Sequence, residues 1–236
     1  MTEERVYSQS GDRIEEIRPV TVRRYGPVTR ANHWLTACSL ILLLISGLAL
    51  FHPSLFFLTG LFGGGQTTRW IHPWIGVVLF VSFFVLFVRL VRLNLPRKED
   101  ATWIAHAKDV VSGNEEALPE LGKYNAGQKF VFWAMSGLIV VLIASGIIMW
   151  EQYFNGIVSI PVRRIATIVH SVAAVLIICT FILHVYAAIW TRGTISAMTR
   201  GTVTGGWAWR HHRKWYRELA RRKRDGADPA PAPPAE

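Results

Sequence analysis

Four long apolar runs restrict what this chain can fold into more than any other feature of its sequence. They extend roughly from Trp34 to Phe51, His72 to Leu93, Phe130 to Trp150 and Ile165 to Trp190. A bilayer core requires about 20 mostly apolar residues per helix. Backbone polar groups left unpaired in hydrocarbon are so costly that each run must be helical. The sequence therefore predicts an all-α integral membrane protein, a bundle of four transmembrane helices.

The distribution of charge sets the expected orientation of this bundle. The chain carries 26 Lys and Arg residues against 16 Asp and Glu residues, a formal net charge of +10. In a soluble protein such a charge would suggest nucleic-acid binding, but here the basic residues lie between apolar runs. Segments 52–71 and 151–164 contain very few of them, whereas the two ends and the middle loop contain nearly all the others. The positive-inside rule then places both termini and the middle loop in the cytoplasm, and we expect no nucleic-acid partner.

Composition divides the chain into three regions. Residues 1–24 form a polar N-terminal arm that we expect to be solvated or to bind a partner. Residues 25–219 form the transmembrane domain, with a cytoplasmic loop at 94–129. Residues 220–236 begin as a basic segment and end in DGADPAPAPPAE. This Pro/Ala-rich composition is typical of a disordered tail.

Two histidines in the fourth apolar run, His170 and His184, lie fourteen residues apart. That spacing advances about 21 Å along a helix and ends about 40° short of four full turns, so both residues occupy one face. An ionisable group inside the bilayer is costly and is by default a candidate functional residue. The alternative for each is a histidine that is hydrogen-bonded to a neighbouring helix.

The depths of four histidines match in two pairs. His33, before the first run, and His184 both lie near the cytoplasmic side. His72, which opens the second run, and His170 both lie near the outer side. Two imidazoles per leaflet, on different helices of one bundle, suit the axial ligation of two b-type haems. No C-x-x-C-H occurs, so covalent c-type attachment is excluded. A haem-free anchor or small transporter, whose histidines bind ions or relay protons, stays open as an alternative.

The remaining histidines are weaker candidates. His52 ends the first apolar run and is expected to be interfacial, and it is the one rival ligand on the outer side. His106 and the pair His211-His212 lie in charged segments, so we expect them to be solvated at the surface. The third run contains no histidine and is expected to act as scaffold.

Two carboxamides lie at the membrane boundary before the third run, in GKYNAGQKFVFW. Asn125 and Gln128 are about one helical turn apart, at the depth of His33 and His184. A quinone requires hydrogen-bond partners for its carbonyls and an apolar slot for its tail. An ordinary helix entry capped by Asn explains the same residues equally well.

A faint internal repeat relates the two halves of the sequence. The letters HPWIGVVL from His72 lie over HSVAAVL from His170. In the preceding run of each half, a tryptophan is followed at equal distance by Ser-Gly: Trp34, Ser46 and Gly47 in the first half, and Trp133, Ser145 and Gly146 in the second.

Several motifs together resemble one known family. They are NHW, RWIHPWIG, GNE, GKYNAGQK, ASGIIMW, VHSVAA, LHVY and WAWRHHRKWYRE. From about Val22 to Leu219 the chain resembles the gamma (cytochrome b) subunit of membrane-bound, quinone-linked formate dehydrogenases. The resemblance implies four transmembrane helices with two b haems and a cytoplasmic-side quinone site. It assigns one haem to His33 and His184, the other to His72 and His170, and the quinone to Asn125, Gly127 and Gln128.

The resemblance also implies partners and a location. An iron–sulfur beta subunit and a molybdenum- or tungsten-pterin alpha subunit would oxidise formate outside the bacterial cytoplasmic (inner) membrane, and the heterotrimer could form a higher oligomer. Electrons would pass through the two haems to ubiquinone or menaquinone, with proton uptake from the cytoplasm. The chain itself would not oxidise formate. The cytochrome b subunit of a related hydrogenase or thiosulfate reductase complex is the alternative, with a different upstream partner.

Overall fold

The computed structural model describes residues 20–114, 118–154 and 156–225. Its helices are α1 (Pro27–Phe51), α2 (Gly65–Leu90), α3 (Lys98–Ala105), α4 (Ala107–Ser112), α5 (Ala126–Met149), α6 (Glu151–Phe154), α7 (Ile160–Trp190), α8 (Thr194–Thr199), α9 (Gly205–His211) and α10 (Arg213–Arg224). Two 3₁₀ helices cover Pro53–Phe62 and Val91–Leu93, and two strands are β1 (Thr21–Arg23) and β2 (Thr202–Thr204). Helices α1, α2, α5 and α7 are long and apolar enough to cross a membrane. The predicted four-helix bundle is confirmed.

Each spanning helix begins four to seven residues before the apolar run that predicted it. The start signals lie in the more polar flanks. Pro27 opens α1, where its missing N–H is not needed. Asn125 caps α5 by accepting a hydrogen bond from the Gln128 N–H at 2.8 Å. Apolar composition marks the part of a helix inside hydrocarbon, whereas the helix itself continues into the interface.

The spanning helices form two hairpins. α1 packs along α2 and α5 along α7, and the hairpins meet mainly between α2 and α5. Their shared core consists of Leu40, Leu79, Met135, Ile139 and Ile177. We call the end of the bundle where α1 begins and α7 ends the terminal end, and the end where each hairpin turns the hairpin end.

A small cap covers the terminal end. β1 pairs antiparallel with β2, with Val22 opposite Val203. Trp207, Ala208 and Trp215 of α9 and α10 pack against β2 in a second buried cluster. The last residues of the predicted N-terminal arm are part of this cap, since Thr21–Arg23 form a strand and Arg24 is 5% exposed. The division of the chain at residues 24 and 219 remains a prediction. Three-residue strands are too short to show a period of two in the sequence. Residues 1–19 lie outside the described residues.

The surface position expected for His212 is wrong. Its side chain is 1% exposed and lies 5.0 Å from the ring of Trp207. Its Nδ1 is 2.7 Å from the carbonyl oxygen of Gly122, ninety residues away in the chain. Burial and the nearby charge of Arg24 lower the pKa of His212 to about 3. Helix α10 continues past residue 220 to Arg224. The predicted disordered tail begins at Asp225, and residues 226–236 of it lie outside the described residues.

Candidate functional site

The first predicted histidine pair lies at the terminal end of the bundle. His33 projects from the second turn of α1, and His184 projects from the last two turns of α7. Their ring centroids are 6.3 Å apart, with an angle of 50° between the ring planes. The pair therefore joins the two hairpins.

The second predicted pair lies towards the hairpin end. His72 of α2 and His170 of α7 have ring centroids 6.4 Å apart, with an angle of 65° between the ring planes. This pair also joins the two hairpins. The structure thus brings together the residues that the sequence paired by depth, and their role as haem ligands remains a prediction.

The spacing within both pairs suits a shared metal ion. Two imidazoles that bind one ion from opposite sides, each through a nitrogen at about 2 Å, have ring centroids roughly 6 Å apart. Within the described ranges, no three His, Cys, Asp or Glu side chains gather in a cluster that could hold a metal ion. Each pair instead fits a site in which two imidazoles would bind one iron and a porphyrin would supply its other ligands.

A serine from the neighbouring helix of the same hairpin contacts each imidazole of the second pair. Ser46 Oγ of α1 lies 2.7 Å from His72 Nδ1, and Ser145 Oγ of α5 lies 2.9 Å from His170 Nδ1. Sequence reasoning missed both contacts. The Ser-Gly repeat was the signal that could have found them, because it places the same two residues on the helix that precedes each histidine.

Small residues keep space beside these imidazoles. A Cβ atom at Gly47 would lie 3.4 Å from His72 Cε1, and one at Gly146 would lie 3.5 Å from His170 Cε1. At Gly76, one turn along α2 from His72, an added Cβ would meet no atom within 4 Å. A flat ligand bound to these rings requires such clearance.

His33 differs from the second pair. Its Nδ1 is buried and, among the described residues, has no hydrogen-bond partner. A buried polar atom without a partner is costly and requires an explanation. The rival ligand His52 is exposed, and its Nδ1 accepts the Ser54 N–H at 3.2 Å, which caps the 3₁₀ helix.

The predicted quinone residues form the start of α5. Asn125 Oδ1 accepts the Gln128 N–H at 2.8 Å, and Gln128 Oε1 accepts the Asn125 N–H at 3.1 Å. This reciprocal arrangement is a capping box, so the ordinary cap accounts for both carboxamide oxygens. Trp103 of α3 packs over Gly127, where an added Cβ would lie 3.2 Å from the indole ring. The role of these residues towards quinone remains a prediction.

A charged pocket of about 340 Å³ lies beside this cap. Lys129 and Asp100, which are both buried, form an ion pair at 2.7 Å in its wall. Lys123 also lines it, and burial and the charge of Arg24 lower the pKa of Lys123 to about 8. The cap of α5 is therefore next to ionisable groups that reach the pocket.

Comparison with known proteins identifies relatives over most of the chain. A family model described as prokaryotic cytochrome b561 matches residues 24–201. The formate dehydrogenase cytochrome b556(fdo) subunit of Escherichia coli (strain K12) is 45% identical over 199 residues, 84% of this chain and 93% of that protein. The nitrate-inducible cytochrome b556(Fdn) subunit of the same strain is 38% identical over 81% of this chain and 88% of its own length. The cytochrome b556 subunit of Haemophilus influenzae formate dehydrogenase is 38% identical over 87% of both chains.

Proposed function

The chain belongs to the prokaryotic cytochrome b561 family and is the cytochrome b subunit of a respiratory formate dehydrogenase complex, and we propose that it holds two b haems and reduces quinone at its terminal end. His33 with His184, and His72 with His170, would be the axial ligands. When bound, the two haems would supply one-electron transfer between the two faces of the bilayer. The observation that carries the proposal is the pairing of imidazoles at two depths, with ring centroids 6.3 and 6.4 Å apart.

One helix positions both sites. His170 and His184 lie on the same face of α7, about 21 Å apart along its axis, and each faces a histidine of the other hairpin. The rigid α7 backbone therefore sets the distance between the two sites. A change in the α1–α2 hairpin would therefore move His33 or His72 without moving the histidine on α7 that faces it.

Quinone would bind beside the α5 cap. A quinone carbonyl only accepts hydrogen bonds, so Asn125 and Gln128 would offer it their NH₂ donors, which the capping box does not use. Both are half-buried, and Gly127 between them carries no side chain that would shield the backbone. The buried Lys129 follows directly in the first turn of α5. Polar donors at the end of a spanning helix suit a carbonyl headgroup whose tail stays in lipid.

The orientation of the chain in the membrane would decide whether the reaction moves charge across the bilayer. The concentration of basic residues in the chain ends and the middle loop favours a cytoplasmic terminal end, in the inner membrane of a bacterium. Partner subunits, one with iron–sulfur clusters and one with a molybdenum or tungsten pterin, would oxidise formate to carbon dioxide, one proton and two electrons on the opposite side. Quinone would take those two electrons and two cytoplasmic protons. Charge thus crosses the membrane without a proton pump.

The haem assignment is tested on the purified complex. The wild-type complex should contain two b haems per copy of this chain, and His184→Ala should lose one. That variant should stop reducing quinone but still oxidise formate with an artificial acceptor. His52→Ala is the matched control, since it removes a histidine outside both pairs, and should retain both haems. Two haems and normal quinone reduction in His184→Ala would refute the assignment.

The quinone assignment requires variants that leave the cap intact. Asn125→Asp and Gln128→Glu keep an oxygen that accepts each capping N–H group and replace the NH₂ donor with a second carboxylate oxygen, which carries charge and cannot donate. We expect a several-fold higher KM for quinone with unchanged haem content and unchanged formate oxidation by an artificial acceptor. An unchanged KM in both variants would place the quinone elsewhere.

A further inference from the structure

We infer that Ser46 and Ser145 are positioning residues that fix the tautomer of His72 and His170 and present the Nε2 atom of each ring to iron. The inference rests on the proposed ligation of a haem by this histidine pair. It goes further in assigning a role to two residues outside the ligand set and in distinguishing the two haem sites electronically.

The position of the serine proton follows from the contacts of Ser46. Its Oγ lies 2.7 Å from the carbonyl oxygen of Leu42, one turn earlier in α1, and also 2.7 Å from His72 Nδ1. A hydroxyl has one proton to donate, and a carbonyl can only accept. The proton therefore goes to Leu42, and the Ser46 oxygen accepts an N–H from His72 Nδ1. His72 is then the Nδ1–H tautomer, whose Nε2 lone pair is free for a metal.

The second hairpin repeats the arrangement independently. Ser145 Oγ donates to the carbonyl oxygen of Val141 at 2.6 Å and lies 2.9 Å from His170 Nδ1. Ser46 is 0% exposed and Ser145 is 4% exposed, so bulk water does not compete for either contact. The same hydrogen-bond logic makes His170 an Nδ1–H donor. The same serine–histidine contact in both hairpins argues against a chance packing contact.

The adjacent glycines complete the arrangement. Gly47 and Gly146 each follow the serine by one residue and lie beside Cε1, the ring carbon between the two nitrogens. A larger side chain at either position would crowd the edge of the ring that carries Nε2. The Ser-Gly dipeptide thus binds one nitrogen and keeps the approach to the other one clear.

The His33–His184 pair lacks this support at His33, whose buried Nδ1 has no hydrogen-bond partner in the part of the chain that the structure describes. A hydrogen bond from the outer nitrogen of a metal-bound imidazole orients the ring and makes it a more basic ligand. A more basic ligand favours ferric over ferrous iron. The haem at the His72–His170 pair should therefore have the lower midpoint potential, which makes electron transfer from this pair towards the His33–His184 pair downhill.

The test uses serine variants of the intact complex. Ser46→Ala and Ser145→Ala should each raise the midpoint potential of one haem in a redox titration and change one low-spin ferric signal in electron paramagnetic resonance. The haem at the His33–His184 pair should be unaffected, and the affinity for the haem at the His72–His170 pair should fall by about 10- to 100-fold. Ser46→Thr keeps the hydroxyl and should behave like the wild type.

Two further variants separate the inference from loss of folding. Ser136→Ala removes a buried α5 serine that donates to the carbonyl of Phe132 at 2.7 Å, the same contact within a helix but without a histidine. It should leave both potentials unchanged. Ser46→Cys nearly preserves shape but is a poor acceptor, so it should shift the potential as Ser46→Ala does even if the alanine variant assembles poorly.

Specific outcomes would overturn the inference. An unchanged potential and unchanged resonance signals in Ser46→Cys with both haems bound would show that the hydroxyl does not act on the ligand. A lowered potential would mean that serine donates to His72, contrary to the proton assignment. Failure of the proposed function itself looks different, since the wild-type complex would then lack two haems or His72→Ala would keep both.

Discussion

The buried ion pair between Lys129 and Asp100 makes the sharpest prediction about the terminal end. Lys129 Nζ lies 2.9 and 2.7 Å from the two carboxylate oxygens of Asp100, and the side chains are 8% and 12% exposed. Asp100 also accepts the N–H of Arg97 at 2.6 Å at the start of α3. One carboxylate therefore links α3 to the first turn of α5. Removing the Lys129 charge should therefore destabilise both α3 and the start of α5.

The expected size follows from the burial of the pair. Removing one partner of a buried pair leaves an uncompensated charge and costs about 3–5 kcal/mol. For Lys129→Met, the lower figure shifts local opening by more than about 100-fold, because 1.4 kcal/mol is a factor of ten. Hydrogen–deuterium exchange of peptides from α3 and the start of α5 measures this opening directly.

A surface pair in the same region is the control. Lys214 and Glu99 form an ion pair at 2.6 Å, but their side chains are 39% and 36% exposed. Exposed pairs contribute at most about 1 kcal/mol, so Lys214→Met should accelerate exchange less than tenfold. Asp100→Asn combined with Lys129→Met removes both charges and should restore much of the protection. The reasoning is refuted if Lys129→Met changes exchange no more than Lys214→Met does.

Three further predictions concern the sites and the cap. Gly47→Val should reduce haem content by one per chain, because even a Cβ there approaches His72 Cε1 at 3.4 Å, whereas Gly137→Val, where a Cβ meets nothing within 4 Å, should keep both haems. The pKa of His212 is lowered from 6.5 to about 3, so the unfolded cap binds a proton that the folded cap does not. Its stability should therefore fall as pH drops below about 6.5, which urea denaturation followed by tryptophan fluorescence can measure, and His212→Gln should lose this dependence. Arg24→Met should destabilise the cap by about 2 kcal/mol in the same assay, because the guanidinium lies within 6 Å of several aromatic rings, a contact worth that much when desolvated; an unchanged denaturation midpoint would contradict it.

Sequence reasoning succeeded for features that depend only on positions along the chain, such as the length of an apolar run. Span length gives four helices. Consecutive spans run in opposite directions, which puts His72 and His170 at equal depth, and the structure brings their rings together. The cytoplasmic side that the basic segments predict remains a prediction. Sequence reasoning failed where distant segments meet. The burial of His212 depends on Gly122, and that of Arg24 on α9 and α10, and nothing in the local composition of either residue reports such a partner. From sequence alone, a basic segment with interspersed aromatic residues is predicted to be exposed.

The internal repeat extends beyond the Ser-Gly dipeptides and reaches the terminal end. Arg24 donates to the carbonyl oxygen of Lys123 at 2.5 Å, and Lys123 donates to the carbonyl oxygen of Arg24 at 3.1 Å. The hydroxyls of Tyr25 and Tyr124 lie 2.8 Å apart. Each of these pairs is separated by 99 residues, the same offset as between Ser46 and the second serine. Equivalent residues thus meet each other, as in a symmetric dimer whose two copies are joined in one chain.

This near-symmetry explains how one bundle can hold two different sites. The His72–His170 pair follows the repeat with an offset of 98 residues, one fewer than that of the serines, and each ring receives the same serine contact. His33 breaks it, because the residue 99 positions later is Phe132, which stacks on Phe87 at 5.5 Å. The His33–His184 pair therefore lacks the repeated serine contact, although its two ligands are histidines like those of the His72–His170 pair. Two haems held by the same ligand type would then differ in potential through the contacts of the imidazole nitrogens that face away from the iron, and this difference would give electron transfer a direction.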